Sequence, residues 1–111
     1  MKKLLCKIDV AGVTYKLFTD NASHDQKLTK MDAYEDSYNK QIIVDETLTS
    51  KYRDHVIKHE VTHAFLYECG LDSESWARNE EIVDWISIKA EELASTFKKT
   101  IKVVKGGKNN D

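Results

Sequence analysis

The feature that most constrains this chain is the pentapeptide HEVTH at residues 59–63, which lies in a stretch predicted as helix from about residue 51 to residue 69. Residues four apart lie on the same face of a helix, so His59 and His63 can direct a ring nitrogen at one ion. Two imidazoles make half of a tetrahedral zinc shell. Glu60 lies roughly 100° around the helix from His59, within reach of a water at the metal, and is the candidate general base.

Composition predicts one domain at residues 1–98, followed by a basic, Gly-containing flexible tail at residues 99–111. An apolar content of 41% and a charged content of 32% are typical of a soluble globular protein. The net charge of −2, with acids and bases interleaved, indicates neither a nucleic-acid nor a membrane partner. Without an export signal or CxxC spacing, Cys6 and Cys69 are predicted to be reduced, mostly buried thiols of a cytoplasmic protein.

The first half of the chain predicts a small sheet. Between Lys3 and Phe18, apolar and polar residues alternate on both sides of Ala11-Gly12, which predicts a β-hairpin. The polar stretch Asp20 to Lys30 predicts an exposed loop or a short helical turn. Short strands are predicted at Met31 to Tyr34 and at Gln41 to Val44, and the second is expected to be the more central because it is the more apolar.

The helix that carries HEVTH is apolar on two sides. At roughly 100° per residue, Val61 and Phe65 point away from a sector that contains the two histidines. That sector holds Val56, His59, Glu60, His63 and Tyr67. A helix of this kind is usually covered on both sides, and Gly70 provides its C-terminal stop. The predicted fold class is therefore α+β, with a small antiparallel sheet packed on the HExxH helix and a second, ligand-bearing helix.

The second helix is where a third metal ligand is expected. A short polar link at residues 71–75 leads into a helical pattern from about Trp76 to Lys98. A catalytic zinc site needs three protein ligands and one open position. Glu80 borders the apolar side of this helix and is the preferred ligand, whereas Glu81 points further towards solvent and is the alternative. The apolar side is formed by Ile82, Ile86, Ala90, Leu93 and Phe97. Asp84 lies on the same side as Glu80, where it can accept a hydrogen bond from a ligand histidine.

Two further histidines are weaker candidates. His55 lies one turn before His59, but three rings spaced four apart on a straight helix diverge too far to reach one ion. It is predicted to lie at the rim of the site. His24 lies in the polar stretch and is interpreted as a solvated loop histidine.

The two motifs together resemble a known family. HExxH followed by the Asn79-to-Asp84 sequence NEEIVD is similar to the gluzincin zinc metallopeptidases, whose third ligand lies in an NExxxD sequence. The order of strands and helices is similar to compact zincins of the ImmA/IrrE type and related small phage-borne proteins, over roughly residues 31–97. The resemblance implies that His59, His63 and Glu80 bind zinc, that Glu60 activates water, and that Asp84 orients a ligand.

The function that follows is a zinc-dependent metallopeptidase that hydrolyses a peptide bond in a peptide or protein substrate, for which one specific regulator protein is a candidate. Larger family members stabilise the oxyanion with a further Tyr or His, and Tyr67, Tyr38 and His55 are the candidates here. The alternative is a zinc-stabilised, non-catalytic protein-binding module, in which Glu81, His55 or His24 would fill the fourth position. A third hypothesis is a helical interaction protein that binds no metal. Oligomeric state stays open.

Overall fold

The computed structural model describes residues 1–71 and 76–106, which form an α+β fold with a four-stranded mixed sheet and two long helices. The elements in chain order are β1 (Lys3–Val10), β2 (Val13–Asp20), a 3-10 turn (Gln26–Thr29), β3 (Ala33–Asp36), β4 (Gln41–Asp45), α1 (Ser50–Glu68), a second 3-10 turn (Trp76–Arg78) and α2 (Glu80–Val104). Apart from Leu71, the predicted link at residues 71–75 lies outside the described residues, as do residues 107–111 of the predicted tail.

The predicted hairpin is confirmed. Strands β1 and β2 pair antiparallel, with Val10 opposite Val13. The turn places Ala11 at φ 51° and Gly12 at φ 88°, the left-handed conformation that a two-residue hairpin turn requires. The Asp9 carboxylate accepts a hydrogen bond from the Gly12 N–H at 2.9 Å.

The sheet is mixed, and the expectation of a purely antiparallel sheet was wrong. Its strand order is β1-β2-β4-β3, with β2 and β4 parallel and the outer pairs antiparallel. Strand β4 takes the inner position because Ile42, Ile43 and Val44 are all apolar and at most 1% exposed. The more polar β3 is left at the edge. The segment between β2 and β3 carries the chain past this inner position, so that β4 returns parallel to β2.

The hydrophobic core lies between the sheet and α1. Its buried members are Val10, Tyr15, Leu17, Ala33, Ile42, Val44, Val56 and Ala64. Helix α1 contributes Val56 and Ala64 to this cluster and contacts α2 on another side. The predicted position of α1 between the sheet and a second helix is therefore confirmed, although Phe65 is 42% exposed, and this packing fixes the rotation of α1 about its axis.

The ends of both helices follow local signals. Gly70 has φ 79° and the Leu71 N–H donates to the Leu66 carbonyl at 2.8 Å, so α1 stops where predicted. Helix α2 begins at Glu80 because the Asn79 side chain accepts a hydrogen bond from the Ile82 N–H at 3.1 Å. It begins later than the predicted Trp76 and continues through Val104, into the stretch predicted as a tail.

Both cysteines are free and exposed, so the prediction that they are mostly buried was wrong. The register of β1 against β2 shifts between Leu4 and Cys6, which disrupts the regular alternation of that strand. Cys69 caps the C-terminus of α1. Among the described residues, no helix is both long and apolar enough to cross a membrane.

The central strand makes a testable contribution to stability. Ile42 is completely buried, so Ile42→Ala removes three carbons from the core and leaves a cavity. We expect the free energy of unfolding to fall by about 2–5 kcal/mol, measured by urea denaturation followed by circular dichroism. Leu5→Ala is the control, because Leu5 is 44% exposed. Equal losses in the two variants would contradict the assignment of Ile42 to the core.

Candidate metal centre

Three donor atoms of His59, His63 and Glu80 lie within 4.8 Å of one another. The Glu80 Oε1 atom is 2.8 Å from His63 Nε2 and 3.3 Å from His59 Nε2. The two imidazole rings have their centroids 5.0 Å apart and are inclined at 70°. The structure therefore brings together the two histidines of the pentapeptide and the preferred glutamate of the second helix.

Each donor is positioned by its own element. The four-residue spacing on α1 places His59 and His63 on one face, and burial of Val56 and Ala64 against the sheet turns that face towards α2. Glu80 is the first residue of α2, directly after the Asn79 cap. The cap therefore fixes where the carboxylate enters the cluster.

The spacing of the donors fits a tetrahedral ion. Bonds of about 2.0–2.1 Å at tetrahedral angles separate neighbouring ligand atoms by roughly 3.3 Å. The separation between His59 Nε2 and Glu80 Oε1 is 3.3 Å, and that between His63 Nε2 and Glu80 Oε1 is shorter at 2.8 Å. Two imidazoles and one carboxylate are also a ligand set that zinc accepts. The residues present fit this metal without a large movement of either helix.

Asp84 orients one of the rings. Its Oδ1 atom lies 3.3 Å from His59 Nδ1, on the side of the ring opposite the Nε2 atom that faces Glu80. A proton on Nδ1 donated to Asp84 leaves the Nε2 lone pair directed at the cluster. The same Oδ1 is 3.3 Å from His55 Nε2, so Asp84 connects the two histidines.

Glu60 is half-buried beside the donors and lines the same cavity. Burial, with smaller contributions from the Glu35 and Glu80 carboxylates, raises the pKa of Glu60 to about 8, while a hydrogen bond from the Glu35 backbone acts in the opposite direction. A divalent cation at the donors would favour the ionised carboxylate and lower this pKa. Glu60 therefore lies close to the donors, and a charge bound there would change its pKa.

A cavity of about 720 Å³ opens over the cluster. Strand β3 and the segment that precedes it form one wall, and α1 and the start of α2 form the others. The remaining lining residues are Met31, Asp32, Ala33, Tyr34, Glu35, Tyr52, His55, Val56, Arg78 and Asp84. The space is large enough for a short stretch of peptide or another small ligand.

The other predicted candidates lie elsewhere or play other parts. Glu81 is exposed and does not line this cavity, in agreement with its lower rank as third ligand. His24 pairs through Nδ1 with Asp20 Oδ2 at 2.7 Å, outside the donor group. Of the three candidates for stabilising an oxyanion, only His55 lines the cavity, whereas Tyr67 and Tyr38 are exposed and do not.

Sequence reasoning missed five polar residues of the cavity wall, which are Asp32, Tyr34, Glu35, Tyr52 and Arg78. Tyr52 precedes His59 by seven residues, two turns of helix, so the helical period contained a signal for it. Tyr34 lies on the edge strand and donates its hydroxyl to Asp25. Arg78 lines the cavity from the 3-10 turn before α2, and no spacing in the sequence points to it.

Comparison with known proteins identified no relative: no family model, no curated protein and no solved structure matches the chain.

The direct measurement on this donor group is zinc bound per chain. We expect about one zinc by elemental mass spectrometry of protein purified without chelator, and a loss of most of it in His63→Ala. The matched control is His24→Ala, which removes a histidine outside the group and should leave the zinc content unchanged. Equal zinc in all three proteins, or none in the wild type, would contradict a metal site here.

Asp84→Ala tests the positioning of the ligand ring. Loss of the hydrogen-bond acceptor frees the His59 tautomer and orientation, so we expect zinc affinity to fall by about 10–100-fold. Competition with a chromophoric chelator measures the change. An unchanged affinity would show that Asp84 does not act on the ligand.

Proposed function

We propose that this protein is a minimal zinc-dependent metallopeptidase with a Glu general base, as the resemblance to gluzincins implies. The observation that carries the proposal is the convergence of His59, His63 and Glu80 within 4.8 Å in the lining of an open cavity, with Glu60 beside them. Three protein donors leave room for one further ligand in a tetrahedral shell, which is what a catalytic zinc requires.

In this proposal the two histidines and Glu80 hold the ion, and Asp84 keeps the His59 Nε2 lone pair directed at it. Zinc bound there would polarise a peptide carbonyl and make a water molecule more acidic. Glu60 accepts the proton of the attacking water and then delivers it to the nitrogen of the leaving amine. Its half-buried position reduces its contact with bulk water.

The edge strand provides a place for an extended substrate. Within residues 1–71 and 76–106, strand β3 pairs with β4 along one side only, and its residues Ala33, Tyr34 and Glu35 line the cavity. A peptide added along the other side of β3 would pair with the strand as a further strand and pass over the donors. The substrate class is therefore an unfolded segment of polypeptide, with a specific regulator protein as the candidate source.

His55 is the candidate for stabilising the oxyanion among the residues that the sequence identified. It lines the cavity, and its Nε2 atom is 3.3 Å from Asp84 Oδ1. With Nε2 directed at Asp84, the other ring nitrogen, when it carries a proton, can donate a hydrogen bond to a developing oxyanion.

Glu60→Gln separates metal binding from hydrolysis. The amide keeps the size of the side chain but cannot accept the proton, so we expect an unchanged zinc content and a loss of peptidase activity of about 10²–10⁴-fold. Activity is measured by mass spectrometry on an unfolded protein and on a mixed peptide library. The matched control is Glu81→Gln, which makes the same change at an exposed residue outside the cavity.

The outcomes distinguish the proposed functions. Cleavage by the wild type that persists in Glu60→Gln would remove Glu60 from the role of base. A wild-type protein that binds zinc but cleaves no substrate would favour the zinc-stabilised binding module instead.

A further inference from the structure

The second half of α2 carries an apolar stripe that no other described residue covers. Every residue from 89 to 106 is exposed. Four large apolar side chains recur there at steps of four, four and three residues, which places them on one side of the helix. They are Leu93, Phe97, Ile101 and Val104, and their exposed fractions are 40%, 60%, 50% and 74%.

This half of the helix projects from the rest of the described chain. Helix α2 has 25 residues, a length of about 37 Å at 1.5 Å per residue. The molecule is correspondingly elongated, with principal extents of 57 × 31 × 25 Å. A projecting helix with an uncovered apolar side is unusual for a protein that acts alone in water, because such patches mark interaction surfaces.

The stripe lies away from the metal centre. At roughly 100° per residue, its midline is more than about 100° around α2 from Glu80 and Asp84, which face α1 and the cavity. A partner bound along the stripe would leave the cavity open.

The apolar spacing along this side of α2, from the half-buried Ile86 to Val104, fits a pair of helices. Two sets of residues seven apart alternate at steps of three and four, and five of the six are apolar, as at the seam of a coiled coil. One set is Ile86, Leu93 and Thr100, and the other is Ala90, Phe97 and Val104.

The charge along α2 changes sign at the middle of the helix. Residues 80–92 contain five acids and one lysine, whereas residues 93–105 contain four lysines and no acid. Two α2 helices side by side in the same direction would therefore place lysines against lysines. In opposite directions, the acidic half of each helix would face the basic half of the other.

We propose that α2 forms an antiparallel pair with α2 of a second copy of this chain, related by a two-fold axis near Ser95. In this register each residue of one set lies opposite a residue of the other set on the partner helix. Phe97 lies opposite Leu93 of the partner subunit, Val104 opposite Ile86 of the partner subunit, and Ala90 opposite Thr100 of the partner subunit.

The same register matches the charges outside the seam. Glu91 lies at the level of Lys99 of the partner subunit, and Glu92 at the level of Lys98 of the partner subunit. At 100° per residue these side chains point roughly 120–140° away from the seam, so the complementarity is between the acidic half of one helix and the basic half of the other, and the two-fold axis repeats it. A second copy is therefore the occupant whose charge pattern and apolar spacing both fit the stripe.

The size of the interface determines how tightly we expect the dimer to associate. The overlap from residue 86 to residue 104 spans about 28 Å at 1.5 Å per residue, which is short for a coiled coil. We expect a dimer that dissociates on dilution, with a dissociation constant on the order of micromolar.

Sedimentation equilibrium of the full chain, from about 1 to about 200 µM, tests the association. We expect the mass to rise from 12.8 kDa towards twice that value. Phe97→Lys places a charge in the seam and should weaken the dimer by at least about tenfold. The control is Ile88→Lys, on the opposite side of α2. Ile88 is 55% exposed and Phe97 is 60% exposed, and the control should leave the dissociation constant of the dimer unchanged.

A monomeric wild type at every concentration would overturn the proposal and leave the stripe to another partner. Equal weakening by Phe97→Lys and Ile88→Lys would also overturn it. Circular dichroism shows whether each variant keeps its helix, and because both side chains are exposed, we expect the fold to persist.

Disulfide trapping tests the direction of the helices. In a background with Cys6→Ser and Cys69→Ser, Ala94→Cys places a thiol beside the proposed two-fold axis and should form a covalent dimer on mild oxidation. Thr100→Cys moves the thiols of an antiparallel pair far apart, so it should remain reduced. Efficient linking through residue 100 but not residue 94 would indicate a parallel pair and contradict the proposed direction.

Discussion

The structure depends on the packing of α1 between the sheet and α2. One side of α1 buries Val56 and Ala64 against the central strands, and another side meets α2. Because a helix cannot rotate without exposing the buried side, the core fixes the direction in which His59 and His63 point. The apolar core and the donor group are therefore two results of the same packing.

The carboxylate of Glu80 completes the contact between the helices. It lies between two imidazole nitrogens at 2.8 and 3.3 Å, where a hydrogen bond from the Ile82 N–H to the Asn79 side chain begins α2. Close carboxylates also surround Glu60, whose pKa is raised to about 8 by burial and by Glu35 and Glu80. A positive charge at the donors would relieve this accumulation of acids, which is the electrostatic argument for a bound cation.

The two halves of α2 differ in their surroundings. Its first turns face α1 with Glu80 and Asp84, whereas residues 89–106 are exposed to solvent. The proposed pairing with a second copy uses a different side of the helix from the proposed zinc site. Cleavage and association can therefore be tested independently, since substitutions in the stripe touch none of the donors.

Local patterns in the sequence were sufficient to predict several turns, helix ends and donor residues of this protein. The turn at Ala11-Gly12, the stop at Gly70 and the four-residue spacing of His59 and His63 depend on neighbours in the chain, so the structure agrees with them. The helical wheel also ranked Glu80 above Glu81, and Glu80 is the residue that reaches the histidines.

Tertiary structure alone decided the rest. The parallel pairing of β2 with β4 depends on the path of the chain between them, which no local spacing records. Arg78 joins the cavity wall only because α1 and the turn before α2 pack together, and both Cys6 and Cys69 are exposed despite an apolar character that favours burial. Sequence determines periodicity, caps and turns because these involve residues a few positions apart. Strand order, cavity walls and exposure are decided by contacts between distant residues, where one segment excludes another from the available space.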